Sequence, residues 1–204
     1  MSLSLLLLLV LFNAYFIVYK RMQIINVMRK RITGLNDIVY LRRLIEYMPQ
    51  HRGMANALLL GDESFKAKIT SLDQKIDKEV KELVELVNVS DRWEISSQVV
   101  DFSERWDSLK HNLANMKPVD SFQTHTELVA ILLHLMSDVG DAANILTTQD
   151  VVHAKLADAT LHKLPLMTEM FGQAWSMATG VASKGMCHTG GITIVLGKRL
   201  TDRR

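Results

Sequence analysis

The sequence predicts an all-α chain, an N-terminal transmembrane helix followed by an up-down antiparallel helical bundle. Three observations predict it. Leu3 to Tyr19 is a run of 17 residues without a charge, close to the length a helix needs to cross a hydrocarbon core. The 204 residues hold only three prolines and ten glycines, which favours helix over sheet. Beyond the apolar run, hydrophobic residues recur at alternating spacings of four and three, the period of packed helices.

The anchor is assigned to residues 1–22. Tyr15, Tyr19, Lys20 and Arg21 stand where interfacial residues are expected, and neither a basic start nor a small-x-small cleavage site marks a signal peptide. Residues 20–52 carry eight basic side chains against two acidic ones. Basicity beside an apolar segment points to lipid headgroups, with no nucleic-acid-binding motif to accompany it. The positive flank predicts a single-pass protein with its bundle on the cytoplasmic side of the membrane.

Thr33-Gly34-Leu35-Asn36-Asp37 reads as a break, and the bundle is assigned to residues 35–184. The first bundle helix runs from about Leu35 to Leu60, with a kink expected at Pro49; Gly61 reads as its C-cap and Asp62 as the next N-cap. Ile69, Leu72, Ile76, Val80, Leu83 and Val87 define the second helix. Ser90-Asp91 resets the phase, and Ile95, Val99, Phe102, Trp106, Leu109, Leu113 and Met116 define the third. After Lys117-Pro118-Val119, Asp120 with Gln123 gives a capping signal, and Phe122, His125, Val129, Leu132, Met136, Val139, Ala143 and Leu146 form the fourth stripe. Thr147 to Asp150 opens a further helix that Pro165 should kink or divide, with Leu164, Met167, Phe171, Ala174, Ala178 and Val181 facing inward. Residues 185–204, with Gly190-Gly191, are expected to be a short irregular basic tail in which Ile192 to Leu196 is either a short strand or a frayed helix.

One arginine breaks the pattern. Leu41, Ile45, Met48, Arg52, Ala55 and Leu59 share a face, so Arg52 points where an apolar residue belongs. A guanidinium cannot discharge, and burying it alone is costly. It needs an anion, either a carboxylate from another helix, for which Asp138 and Asp141 are candidates, or a small planar oxyanion that its fork would fit, unless it snorkels to the bundle edge. Gly53 beside it would let a neighbouring backbone or ligand come close. His51 should diverge from Arg52 by about 100°. His125, on an apolar stripe, is either satisfied by a backbone carbonyl or available for ligand contact or pH sensing.

Enzyme chemistry finds no support. A di-iron bundle needs paired Glu-x-x-His motifs, and the chain offers only Asp150-Val151-Val152-His153 and the pair Asp158/His162. The single Cys187 excludes a disulfide framework and a cysteine-based zinc site. No nucleophile elbow or phosphate loop occurs. The expectation is a non-enzyme with no cofactor, no metal and no catalytic residue.

Three stretches resemble one family. They are Gln50-His51-Arg52-Gly53-Met54-Ala55 with Leu58-Leu59-Leu60-Gly61-Asp62; Ser121-Phe122-Gln123-Thr124-His125-Thr126-Glu127-Leu128; and Leu156-Ala157-Asp158-Ala159 with Leu164-Pro165-Leu166-Met167-Thr168-Glu169 and Gly172-Gln173. Together they look like the bacterial nitrate- and nitrite-sensing type of all-helical sensory domain found ahead of chemoreceptor and kinase modules. The resemblance implies a helical bundle at a bacterial inner membrane, periplasmic or cytoplasmic, that binds a small oxyanion and passes a conformational change to an output. Arg52 matches the motif arginine, and Gln50 and His125 are the further candidate ligand-binding residues. Trp175 departs from the pattern, where the family tends to carry arginine. No output module follows in the sequence, so signalling would pass through a separate protein partner, and a homodimer is compatible with this arrangement. The alternative is a membrane-anchored scaffold or interaction protein built on the same bundle. The two differ in whether Arg52 lines a polar cavity or is locked to an internal carboxylate.

Overall fold

The computed structural model describes residues 3–89, 93–145, 150–184, 186–189 and 192–195. Six α-helices and one strand pair follow in order: α1 (Leu3–Leu59), α2 (Lys66–Val89), α3 (Trp93–Asn112), α4 (Pro118–Ala142), α5 (Val151–Asp158), α6 (Leu164–Lys184), β1 (Met186–Thr189) and β2 (Ile192–Val195). The bundle is made by α1 to α4, each packed on its sequence neighbours, with α4 closing back on α1. Helix α6 lies against α1 and α4.

Helix α1 has 57 residues, about 86 Å at 1.5 Å per residue. It is long and apolar enough to cross a membrane, and from Leu7 to Lys30 every side chain is exposed. The break expected at Thr33 to Asp37 is absent. Gly34 is instead a contact point, where an added Cβ would collide with the Cβ of Ala143 at the end of α4. Pro49 lies inside α1 without ending it. The helix stops as expected at Gly61, whose φ of 103° is costly for a side-chain-bearing residue. Asp62 N–H donates to the Ala57 carbonyl at 3.1 Å and Gly61 N–H to Leu58 at 2.9 Å, the paired bonds that close a helix end. Asp62 then caps the following turn by accepting from Ser64 N–H at 3.1 Å.

The stripes of α2 and α3 are buried as read, with Met116 only partly so. On α4 the stripe residues His125, Val129, Leu132, Met136, Val139 and Ala143 are buried and Phe122 is half-buried. The cap of α4 differs from expectation. Lys117 is the N-cap with Pro118 next, and Asp120 falls in the first turn, because the fixed φ of proline already starts the helix. Its far end closes on Asn144 at φ 54°, with Ile145 N–H donating to Gly140 and Asn144 N–H to Asp141. Asp150 caps α5 by accepting from Val152 and His153 N–H.

One expectation about the C-terminal part is corrected. Leu164, Met167, Phe171 and Ala174, read as the inner face of α6, are exposed. The buried positions are Leu161 and Glu169, with Pro165, Gly172, Gln173 and Ser176 half-buried. The physical cause is the π turn over Ala159–Lys163 just before Pro165. Proline has no N–H to give the preceding turn, and a π turn accommodates this by one extra residue, which rotates everything downstream. Of the two readings of Ile192 to Leu196, Ile192–Val195 forms the strand, and β1 and β2 pair antiparallel with Cys187 opposite Ile194. Ser90-Asp91, Leu146 to Gln149, Gly190-Gly191 and Leu196, and the side chains of Trp175, Ala178 and Val181, lie outside the described residues.

Candidate functional site

Two neighbouring residues of α1, His51 and Arg52, are both buried and turn to different sides of the helix. Arg52 looks toward α4 and α6. Its Nη1 donates to Glu169 Oε1 at 2.5 Å and its Nη2 to Oε2 at 3.1 Å, the parallel fork that suits a guanidinium. Nη1 also donates to Thr126 Oγ1 at 3.0 Å, and the guanidinium carbon lies 5.0 Å from the centre of the Phe122 ring. Gln173 Nε2 donates to Glu169 Oε1 at 2.7 Å from one turn further along α6. Gly172 leaves the space that Arg52 fills, since an added Cβ would come 3.3 Å from Nη2. Both charges are almost wholly removed from water. Such a pair is tolerated only with geometry of this quality.

His51 looks toward α2, α3 and α4, where it joins a chain of short hydrogen bonds. His125 Nδ1 lies 2.6 Å from the Ser121 carbonyl, which can only accept, so Nδ1 carries the proton. His125 Nε2, at 2.7 Å from His51 Nδ1, then accepts from a proton on His51. The other nitrogen of His51 faces Asp73 Oδ1 at 2.9 Å. A neutral His51 protonated at Nδ1 and an ionised Asp73 would both accept there. The chain therefore holds one further proton between Nε2 and the carboxylate. Burial first, then the neighbouring His51, holds the His125 imidazole down to about 3, with Arg52 adding to the effect. Trp106 sets its ring edge-on to His51 with centroids 5.0 Å apart. Its indole N–H donates to Asp77 at 2.7 Å, and Lys110 does the same at 2.7 Å.

The structure assembles only part of the site read from sequence. Arg52 is buried with an anion, as its position demanded. That anion is Glu169; Asp138 accepts from Gln98 instead, and Asp141 is exposed. Gln50 is exposed and donates to the Glu46 carbonyl one turn back at 3.1 Å, so it is not part of the Arg52 cluster. His125 is satisfied by Ser121 and His51. Gly53 has nothing within 4 Å of where a Cβ would stand. Sequence reasoning missed Glu169, although it is the lone charge between Leu164 and Ser183. It missed His51 because one buried stripe was read where α1 has neighbours on several sides.

A surface hollow of about 220 Å³ between α3 and α4, bordered by Arg105, Asn112 and Glu127, does not include Arg52. Among the described residues no group of three or more His, Cys, Asp and Glu side chains is placed to hold a metal ion. No family model, curated protein or solved structure matches the chain. The resemblance therefore rests on the three stretches alone.

Proposed function

We propose that the chain is a membrane-anchored, non-enzymatic helical module that acts through protein contacts, with the Arg52–Glu169 pair serving to hold α6 on the bundle. The observation that carries this reading is the closed fork. Glu169 occupies the two terminal nitrogens that a planar oxyanion would need. The exposed apolar side chains of α6, with Met170 and Phe171 among them, fit a surface made for contact better than one made for chemistry.

A second reading has one specific observation in its favour. The two terminal nitrogens of Arg52 form a donor pair that a nitrate-like anion could take over from Glu169, releasing α6. That would be a sensor. Thermal melting of the detergent-solubilised full chain with nitrate, nitrite and other small anions separates the two. An anion at 100 times its dissociation constant adds roughly 2.7 kcal/mol if it binds only the folded state. No shift is expected for the interaction module. A shift that disappears in Arg52→Met would overturn it and put sensing first.

A further inference from the structure

Between the apolar N-terminal segment and the body of the bundle, α1 carries a second hydrophobic line that nothing among the described residues covers. Ile25, Met28, Ile32, Leu35 and Val39 recur at spacings of three, four, three and four, and each is between 42% and 61% exposed. At about 100° per residue this line runs about 180° from the buried line Leu41, Leu44 and Met48. A helix laid along it would meet no other described element of the bundle.

We propose that a second copy of this chain packs in parallel against this outer face of α1. Three features select that occupant. The heptad places β-branched Ile25, Ile32 and Val39 at one core position and Met28 and Leu35 at the other, the choice that favours two parallel strands. The line continues into exposed Arg42 and Glu46, so that Arg42 of each copy can reach Glu46 of the other. Further along the same face stands Gly53, which weakens a helix interior, and a Cβ added there would meet nothing within 4 Å among the described residues beyond its own helix to account for it. A second helix in close approach gives it a neighbour.

The parallel orientation rests on the membrane-anchored reading, because two chains inserted the same way present equivalent faces at equivalent heights. Confinement to one membrane also raises the effective concentration of one face for the other.

Cysteine cross-linking in isolated membranes tests this. In a Cys187→Ser background, single cysteines replace Met28, Ile32, Leu35 or Lys30, the last on the opposite side of the helix. Recovery of the chain in the membrane pellet is checked first, since loss from the pellet would defeat the anchor reading separately. With the chain in the pellet, copper phenanthroline should link the three outer-face positions several-fold more than Lys30→Cys. Leu35→Glu, at a site exposed in the monomer, should leave melting unchanged yet abolish linking through Met28→Cys. Equal linking at all four positions would overturn the proposal. So would outer-face cysteines that do not link but are shielded from a water-soluble maleimide, because lipid would then be the cover.

Discussion

Arg52 and Glu169 are both removed from water, and neither can be left alone there. Removing the arginine would strand a buried carboxylate, so Arg52→Met should cost roughly 3–5 kcal/mol in chemical denaturation. Replacing both charges by apolar groups of similar size removes the stranded charge as well. The double variant Arg52→Met, Glu169→Leu should therefore recover most of the loss. A double variant no more stable than Arg52→Met would mean that the two residues do not act as a pair. The need for an anion at Arg52 was legible from one line of α1, but its identity was not. Glu169 lies 117 residues away, and the phase that aims it inward is set by a π turn that no hydrophobic stripe announces.

The histidine chain makes a different expectation. His125 is neutral in the folded bundle down to about pH 3 and has an ordinary value of 6.5. The unfolded chain therefore takes up a proton that the folded chain refuses. Stability from this group is fully present above pH 6.5 and is lost progressively as pH falls toward 3. Denaturation midpoints measured from pH 7.5 to 4.5 should fall, and His125→Gln should flatten that slope. An unchanged slope would remove His125 as its source. At the other end of the chain, Asp73→Asn should be tolerated, because an amide N–H can donate to the nitrogen of a neutral His51. Asp73→Ala leaves that buried nitrogen without its partner and should cost about 1–3 kcal/mol. Equal melting of the two variants would show that the last proton does not bridge His51 and Asp73.

At the scale of the helices, the expected break at Thr33 to Asp37 failed for a reason that single-sequence reading could not supply. Glycine inside a helix weakens it, yet Gly34 is where the end of α4 crosses α1, and the contact with Ala143 demands a missing side chain. Gly34→Ala should destabilise the bundle by about 1–3 kcal/mol through overpacking. Adding Ala143→Gly should restore much of that by clearing the other Cβ. If the second change only adds to the loss, the crossing is not what Gly34 serves. The stripes of α2, α3 and α4 were legible because each packs one face against a four-helix core with a constant period. Helix α6 was not, because its inward positions include a carboxylate and a glycine while its largest apolar groups face outward.

Over the whole molecule, an apolar exposed N-terminal helix leads into a bundle closed by buried charge. Alkaline extraction should leave the full chain in the membrane pellet, as expected of a helix whose apolar run ends in aromatic and basic residues. Release of the intact chain into the supernatant would remove the anchor. Whether the bundle answers to an added anion is the more direct question, because it decides between a latch and a receptor. Glu169→Ala opens a carboxylate-sized space against Arg52, and melting of that variant against formate or acetate should show recovery toward wild type. The wild-type chain under the same anions, nitrate included, should not shift. A wild-type melting temperature that rises with nitrate and stops doing so in Arg52→Met would contradict the latch, and Arg52 would then be the binding residue of a sensor.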